Sequence, residues 1–493
     1  MKLKPTLTKP ETLDPEDWEE ARRIGHEMID DMIDYLSSVR DRPAWRSVPD
    51  ATKEVLAERA PRIGVPLASI YETFKEHILP YPTGNLHPAF FGWVMGNGTV
   101  TGMLADMLAS GMNPHVAGYD QSAIVVEQQV IKWFSELLGF PDDASGLLVT
   151  GGTMANLSGL VVARNEKADF DFRQSGLQEK QTPRLRVYGS VETHNWIYKA
   201  CELMGLGRSA FRALPVNENY QIDIDACRLR LEEDIKSGDK PFCIVGTAGT
   251  VNTGAVDDLA ALRAICDEFD LWLHVDGAFG SLVALSDQSR VLVTGQEMAD
   301  SIAFDLHKWG HMPYDVGCVL VRHANAQNAA FEQKASYLSS DTRGLAVDTT
   351  YFADKGIQLS RSFRALKVWM SLKEQGADKL GRLIQQNIDQ ARYLENLAVA
   401  HPDLEVLAPV TLNIVCLRYV SDGISDEALN AINQEVLLRL QESGASVPSQ
   451  TILNGKFAIR VCVTNHRSRQ EDFDQLVTDI VRYARDVLAE ESW

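Results

Sequence analysis

The chain has 493 residues, of which 45% are hydrophobic and 24% charged, the balance of a soluble globular protein of two or three domains. Its formal charge of −20 denies it the basic footprint from which nucleic-acid binding draws its energy, and no stretch approaches the ~18 apolar residues of a membrane span. Seven scattered cysteines with no C-x-x-C argue against a disulfide framework or structural zinc, and Met1 to Glu20 lacks the apolar core of a signal peptide, so a cytoplasmic location is expected.

Residues 1–85 read as a helical arm. Asp14-Pro15 is a candidate N-cap and first-turn proline, followed by Trp18, Ala21, Ile24, Met28, Met32 and Leu36 at helical spacing. Ile29 and Ile33 widen the apolar face, which must pack on its own chain or on a partner subunit. Residues 86–375 read as a large α/β domain, because from Gly146 to Arg322 short apolar runs alternate with helical patterns. The runs end at Val149, Tyr188, Val245, Val275 and Phe304, and each is followed by polar, glycine-rich or ionisable residues. In open α/β sheets, ligands bind beyond those carboxyl ends. Residues 376–493 read as a small α+β domain, with Ser425 capping a helix from Asp426 to Glu442, Gly444 ending it, a strand at Phe457–Val461 and a closing helix from Glu471 to Leu488.

The most informative position is Lys308, in Asp305-Leu306-His307-Lys308-Trp309-Gly310, directly after an apolar strand. A snorkelling surface lysine is the ordinary reading; desolvation at a strand end would instead lower its pKa and free the amine for Schiff-base chemistry. Asp276 ends another strand, 32 residues earlier, with Gly277 and Ala278 leaving room for a flat ligand. It is suited to capping a helix, binding a metal or pairing with a protonated ring nitrogen. Lysine and aspartate on nearby strand ends match what pyridoxal phosphate requires. Thr150-Gly151-Gly152-Thr153, between a strand and a helix start, suits a tight turn or a phosphate, and Thr250 at another strand end offers a hydroxyl. His194 reads as a core histidine, a stacking ring or an acid/base. His307 and His311 are four apart, but Trp309-Gly310 argues against a helical metal pair, so no metal is expected.

Taken together, the sequence resembles the group II pyridoxal-phosphate-dependent amino-acid decarboxylases, the family of aromatic-L-amino-acid and glutamate decarboxylases. The resemblance is carried by His87-Pro88-Ala89-Phe90-Phe91, the glycine turn with Thr153-Met154-Ala155-Asn156, His194, His274-Val275-Asp276, His307-Lys308-Trp309 and Ser362-Phe363-Arg364-Ala365-Leu366-Lys367. It implies the fold type I of pyridoxal-phosphate-dependent transferases: a mostly parallel seven-stranded large-domain sheet, an N-terminal helical arm and a small C-terminal α+β domain. It implies a homodimer with a shared active site, and an amino-acid substrate converted to amine and CO2. By the same match Lys308 holds the cofactor covalently, Asp276 pairs with the ring nitrogen, His194 stacks on the ring, and Gly152, Thr153 and His307 serve the phosphate; Thr250 and Ala278 join the expected cofactor contacts from their places at the strand ends. Tyr337 falls where the family carries the loop tyrosine that protonates the α-carbon.

Two departures stand out. Asp305-Leu306 occupies a place where many members have Asn-Pro; an aspartate beside a phosphate is repulsive, so Asp305 is expected to point elsewhere or act through water. The segment from Gly92 to Gly96 differs from the animal aromatic decarboxylases. Phe90, Phe91 and Trp93 still favour an aromatic substrate, with Phe91 and Trp93 as expected substrate contacts. The alternatives are an aldehyde synthase, an aminotransferase, a decarboxylase of an acidic or other non-aromatic amino acid, and a scaffold without chemistry.

Overall fold

The computed structural model describes residues 11–177, 182–333, 343–347 and 350–490. The first helix runs Trp18–Ser37 and is capped by Asp17 rather than Asp14: its carboxylate accepts from the Glu19 and Glu20 N–H groups, which have no acceptor inside the helix. That helix buries only Ile24 and Tyr35.

The large domain is built on seven strands: β2 (Ser145–Val149), β3 (Leu185–Ser190), β4 (Phe211–Leu214), β5 (Lys240–Thr247), β6 (Trp272–Asp276), β7 (Ser301–Asp305) and β8 (Gly317–Val321). Their order is β2-β8-β7-β6-β5-β3-β4. The run from β7 to β4 is parallel, and β8 lies antiparallel between β7 and β2. Nearly every residue of these strands is buried, as expected of a sheet covered on both faces. The Gly152–Lys167 helix lies close over the sheet. A Cβ at Gly159 would stand 2.5 Å from the His274 ring, so glycine is required for that approach.

The small domain holds a second sheet, ordered β1-β11-β12-β10-β9, from Phe90–Phe91 (β1), Leu404–Val406 (β9), Ile414–Tyr419 (β10), Val447–Leu453 (β11) and Lys456–Cys462 (β12). The helices Asp426–Glu442, capped by Ser425, and Gln470–Glu490 cover it. One expectation changes here. Phe90 and Phe91 pair in parallel with Val447 and Pro448, so this piece of chain from residues 86–375 serves the small-domain sheet. Phe91 is buried against Phe473, ring centroids 5.5 Å apart, inside the small-domain core, and does not line the cavity described below, against the expectation that it contacts the substrate. Among the described residues no helix is long and apolar enough to cross a membrane.

Candidate active site

The carboxyl ends of β5, β6 and β7 lie side by side. The register sets Thr247 opposite Asp276, Asp276 opposite Ala303, and Asp305 opposite Gly317 of β8. Above them is a cavity of about 550 Å3 lined by Gly152, Thr153, His194, Asp276, Ala278, His307, Lys308 and Trp93, all expected at a site, together with Thr247, Asp305 and Tyr314. Val94, Met95, Val251 and Phe279 complete an apolar wall. A larger groove of about 670 Å3 lies between Leu285–Gln288 and the Ala377–Ala400 helix; it is lined mainly by Gln, Asp and Ser and holds none of the residues singled out above.

Asp276 is fixed from two sides. The Trp196 indole N–H donates to one oxygen at 2.6 Å, and the Ala278 N–H to the other at 3.2 Å. Beneath it His274 is wholly buried, bonded to Ser301 and to Asn156, each at 2.8 Å, which locks β6 to β7 and to the overlying helix. His194 Nδ1 accepts from the Trp196 N–H at 3.2 Å, so the neutral ring carries its proton on Nε2. Enclosure pulls His194 below the ordinary histidine value against the opposing field of Asp276. His307 Nδ1 accepts from the Val316 N–H at 3.1 Å, its ring lies 4.4 Å from that of Tyr314, and burial lowers its pKa as well. His311 packs instead on His466, so it does not pair with His307.

Lys308 departs from expectation. Burial alone would pull its pKa down, but Asp305, through charge and a hydrogen bond, and then Asp276 and Tyr314 reverse that, so the ammonium is favoured. Its Nζ lies 2.9 Å from Asp305 Oδ2. Asp305 therefore neither turns away nor sits in water: it is buried in the cavity floor as the partner of the lysine. Thr250 is also displaced from its expected role. It is buried, and its hydroxyl bonds Thr253 at 3.0 Å and the Ala255 N–H at 3.1 Å, within its own turn. Thr247, three residues back at the true strand end, lines the cavity, and its hydroxyl is buried with no partner among the described residues. Tyr337 lies outside the described residues.

Sequence reasoning also missed Trp196, Tyr314 and Arg460. Arg460 of β12 donates to the carbonyls of Val251 at 2.7 Å and Trp93 at 3.0 Å, tying two cavity-wall segments to the small domain. Trp196 and Tyr314 were visible as residues, but nothing local marked them as neighbours of Asp276 and His307.

The floor suits a flat, phosphate-bearing ring. Gly151 and Gly152 open the Gly152–Lys167 helix, whose first N–H groups have no intrahelical acceptor, and with no side chain on Gly152 an anion can approach them. The unpartnered Thr247 hydroxyl, the fixed Asp276 carboxylate and the Lys308 amine supply the remaining polar contacts.

Comparison with known proteins agrees. The pyridoxal-dependent decarboxylase conserved domain matches residues 49–420. The chain is 33% identical to an aromatic-L-amino-acid decarboxylase of Bacillus atrophaeus, over 95% of this chain and 96% of that one. It is 29% identical to a phenylacetaldehyde synthase of Arabidopsis thaliana, over 92% and 93%. The structure of an Oryza sativa enzyme, TDC, solved with PLP and tryptamine, superposes with a TM-score of 0.89 at 24% identity, covering 97% of this chain and 100% of that one; it establishes the shared fold, fold type I. The chain belongs to the pyridoxal-dependent decarboxylases and is a pyridoxal 5'-phosphate-dependent amino-acid carboxy-lyase.

Proposed function

We propose that this enzyme decarboxylates an aromatic L-amino acid to its amine at the cavity above β5, β6 and β7, with Lys308 and Asp276 as the two residues that hold the cofactor's reactive end and ring. The observation that carries the reading is the pairing of Lys308 and Asp276 at adjacent strand ends beneath an apolar wall of Trp93, Val94, Met95, Val251, Phe279 and Tyr314. Lys308 is the one lysine or arginine among the described residues lining the cavity, which disfavours an acidic substrate side chain.

Each residue then has a physical task. Lys308 would hold the cofactor through Nζ, which lies at the cavity floor. Asp276, held by Trp196 and Ala278, keeps the ring nitrogen protonated; an ion pair that shifts this equilibrium by one pKa unit is worth ~1.4 kcal/mol. His194, neutral with its tautomer fixed, would stack on the ring, and Gly152, Thr153 and His307 would hold the phosphate, with Thr247 in place of Thr250 as the strand-end hydroxyl. When bound, the cofactor supplies the electron sink that accepts the pair left behind by CO2. Tyr337 returns a proton to the substrate α-carbon. We place the enzyme in the cytoplasm, a reading supported by seven buried, unpaired cysteines. A second copy of the chain covers the apolar arm, giving a homodimer.

Incubation of the holoenzyme with a panel of L-amino acids and mass spectrometry of the products tests the assignment. Amine from tryptophan, tyrosine or their relatives is expected; turnover confined to acidic amino acids would overturn it. A second reading, aldehyde formation, has the Arabidopsis synthase in its favour. Aldehyde with little amine would establish it and remove the role given to Tyr337.

A further inference from the structure

We propose that Asp305 is a positioning residue for Lys308, holding its ammonium against the cavity floor and accepting its proton when the amine captures a carbonyl group. This rests on the reading of Lys308 as the cofactor lysine. Four observations place Asp305 in that role. Its Oδ2 lies 2.9 Å from Lys308 Nζ, and its side chain is 2% exposed while that of Lys308 is 24% exposed toward the cavity. Its second oxygen, Oδ1, is buried with no partner among the described residues. The carboxyl group is seated among glycines: a Cβ on Gly152 would stand 2.8 Å from Oδ2, and one on Gly317 2.7 Å from Oδ1. Finally, neither neighbouring histidine competes for its charge. His307 Nε2 is 3.8 Å away, and both His307 and His194 are driven toward their neutral forms by burial.

Lys308 for its part faces Asp305, Asp276 and Tyr314, so the amine is surrounded by groups that favour its protonated form. An ammonium has no lone pair to offer a carbonyl carbon. Capture of an aldehyde therefore needs a proton to leave first, and Asp305 is the acceptor already in contact. Nζ gives one proton to Oδ2 and its lone pair bonds to the aldehyde carbon. The two hydrogens left on nitrogen depart with the carbonyl oxygen as water, and the first proton stays on the carboxyl group. Asp305 then no longer presents a negative charge to the Gly151-Gly152 helix start, where the cofactor's phosphate is proposed to sit.

The test compares cofactor-free wild type with Asp305→Asn, following capture of pyridoxal phosphate by absorbance from about pH 6 to 9 and locating the borohydride-trapped adduct by mass spectrometry. Without its carboxylate the buried amine loses its proton more readily, so the capture profile of Asp305→Asn is expected to move to lower pH by about one unit or more. An unmoved profile, in a variant whose thermal melting matches wild type, would sink the proposal; a filler role for Asp305 would change melting and leave the profile in place. A measurement on wild type alone stands even where the variant does not fold. Labelling of Lys308 by an amine-reactive reagent in cofactor-free enzyme is expected to begin at higher pH than labelling of the exposed lysines, and labelling at or below their pH would count against the proposal. An adduct found on another lysine would instead refute the reading of Lys308 itself.

Discussion

The cavity floor and the N-terminal arm answer the same physical demand in opposite ways. On the floor, Asp276 is fixed by Trp196 and Ala278, Asp305 is paired with Lys308, and His274 is bonded through both ring nitrogens, all within one chain. The arm leaves its apolar side chains in the open: Trp18, Ile63, Val65, Leu67 and Ile70 are exposed, Ile63 to 85%. Fully burying an aliphatic side chain is worth ~1.5–3 kcal/mol, and contiguous exposed patches mark interaction surfaces. The described floor groups thus find their partners largely within one chain, whereas the described apolar residues of the arm stay open, and the second copy proposed above covers them. Substitutions can therefore be aimed at the described floor and at the arm one at a time.

The sharpest separation is Lys308→Ala. It removes the proposed covalent attachment point and is expected to lower turnover by ~10^3-fold or more while leaving the proposed dimer intact, as read by product assay and light scattering. Normal turnover would break the assignment of the floor. The converse variant carries Ile63→Glu and Ile70→Glu. Charges buried in an interface cost several kcal/mol, so the dimer should weaken by roughly 10^2-fold in sedimentation while cofactor absorbance at high protein concentration persists. A monomeric wild type would end the comparison on the arm's side.

The floor also predicts how the enzyme fails in acid. Burial pulls His274 to about 4 and His311 to about 3, both below the histidine value of the unfolded chain, about 6.5. Below about pH 6.5 the unfolded chain therefore binds more protons than the folded one, so the stability these groups contribute is present above that pH and is lost as pH falls toward 4. Each contributes a slope on the order of 1.4 kcal/mol per pH unit in that window. Denaturant titrations of wild type and His311→Gln check this, with a shallower decline expected in the variant.

What could be read in the sequence follows from how local each signal is. The parallel strands were legible because each apolar run ends in glycine or an ionisable residue, and Asp276 and Lys308 were brought together by one strand–helix–strand step. The errors are non-local. Phe91 was taken for a substrate contact because nothing near it shows that β1 pairs with β11, more than 350 residues on. Thr250 and Thr247 are chemically alike, and only the strand end decides which hydroxyl reaches the cavity. Asp305 looked out of place beside a phosphate because its partner was sought outside the motif, when it lay three residues along. The Trp196–Asp276 bond spans 80 residues and leaves no periodic trace.

Trp93 stands where the small domain meets the cavity, and it gives the smallest and most specific prediction. The residue is 52% exposed and lines the cavity with Val94 and Met95, while its backbone is pinned by Ser449 and Arg460 of the small domain. The backbone is thus held by the small domain while the residue lines the cavity, which is why we propose it as a substrate contact. Trp93→Leu keeps the backbone bonds and trims aromatic surface, so it should cost ~1–2 kcal/mol of discrimination for the largest aromatic substrate over smaller ones. In kinetics this would appear as a change of roughly tenfold in the ratio of kcat/KM values, with the cofactor spectrum and the dimer unchanged. Equal losses for every substrate would instead mean that Trp93 acts through the seam between the small domain and the cavity wall, which Ser449 and Arg460 form, and not through the substrate.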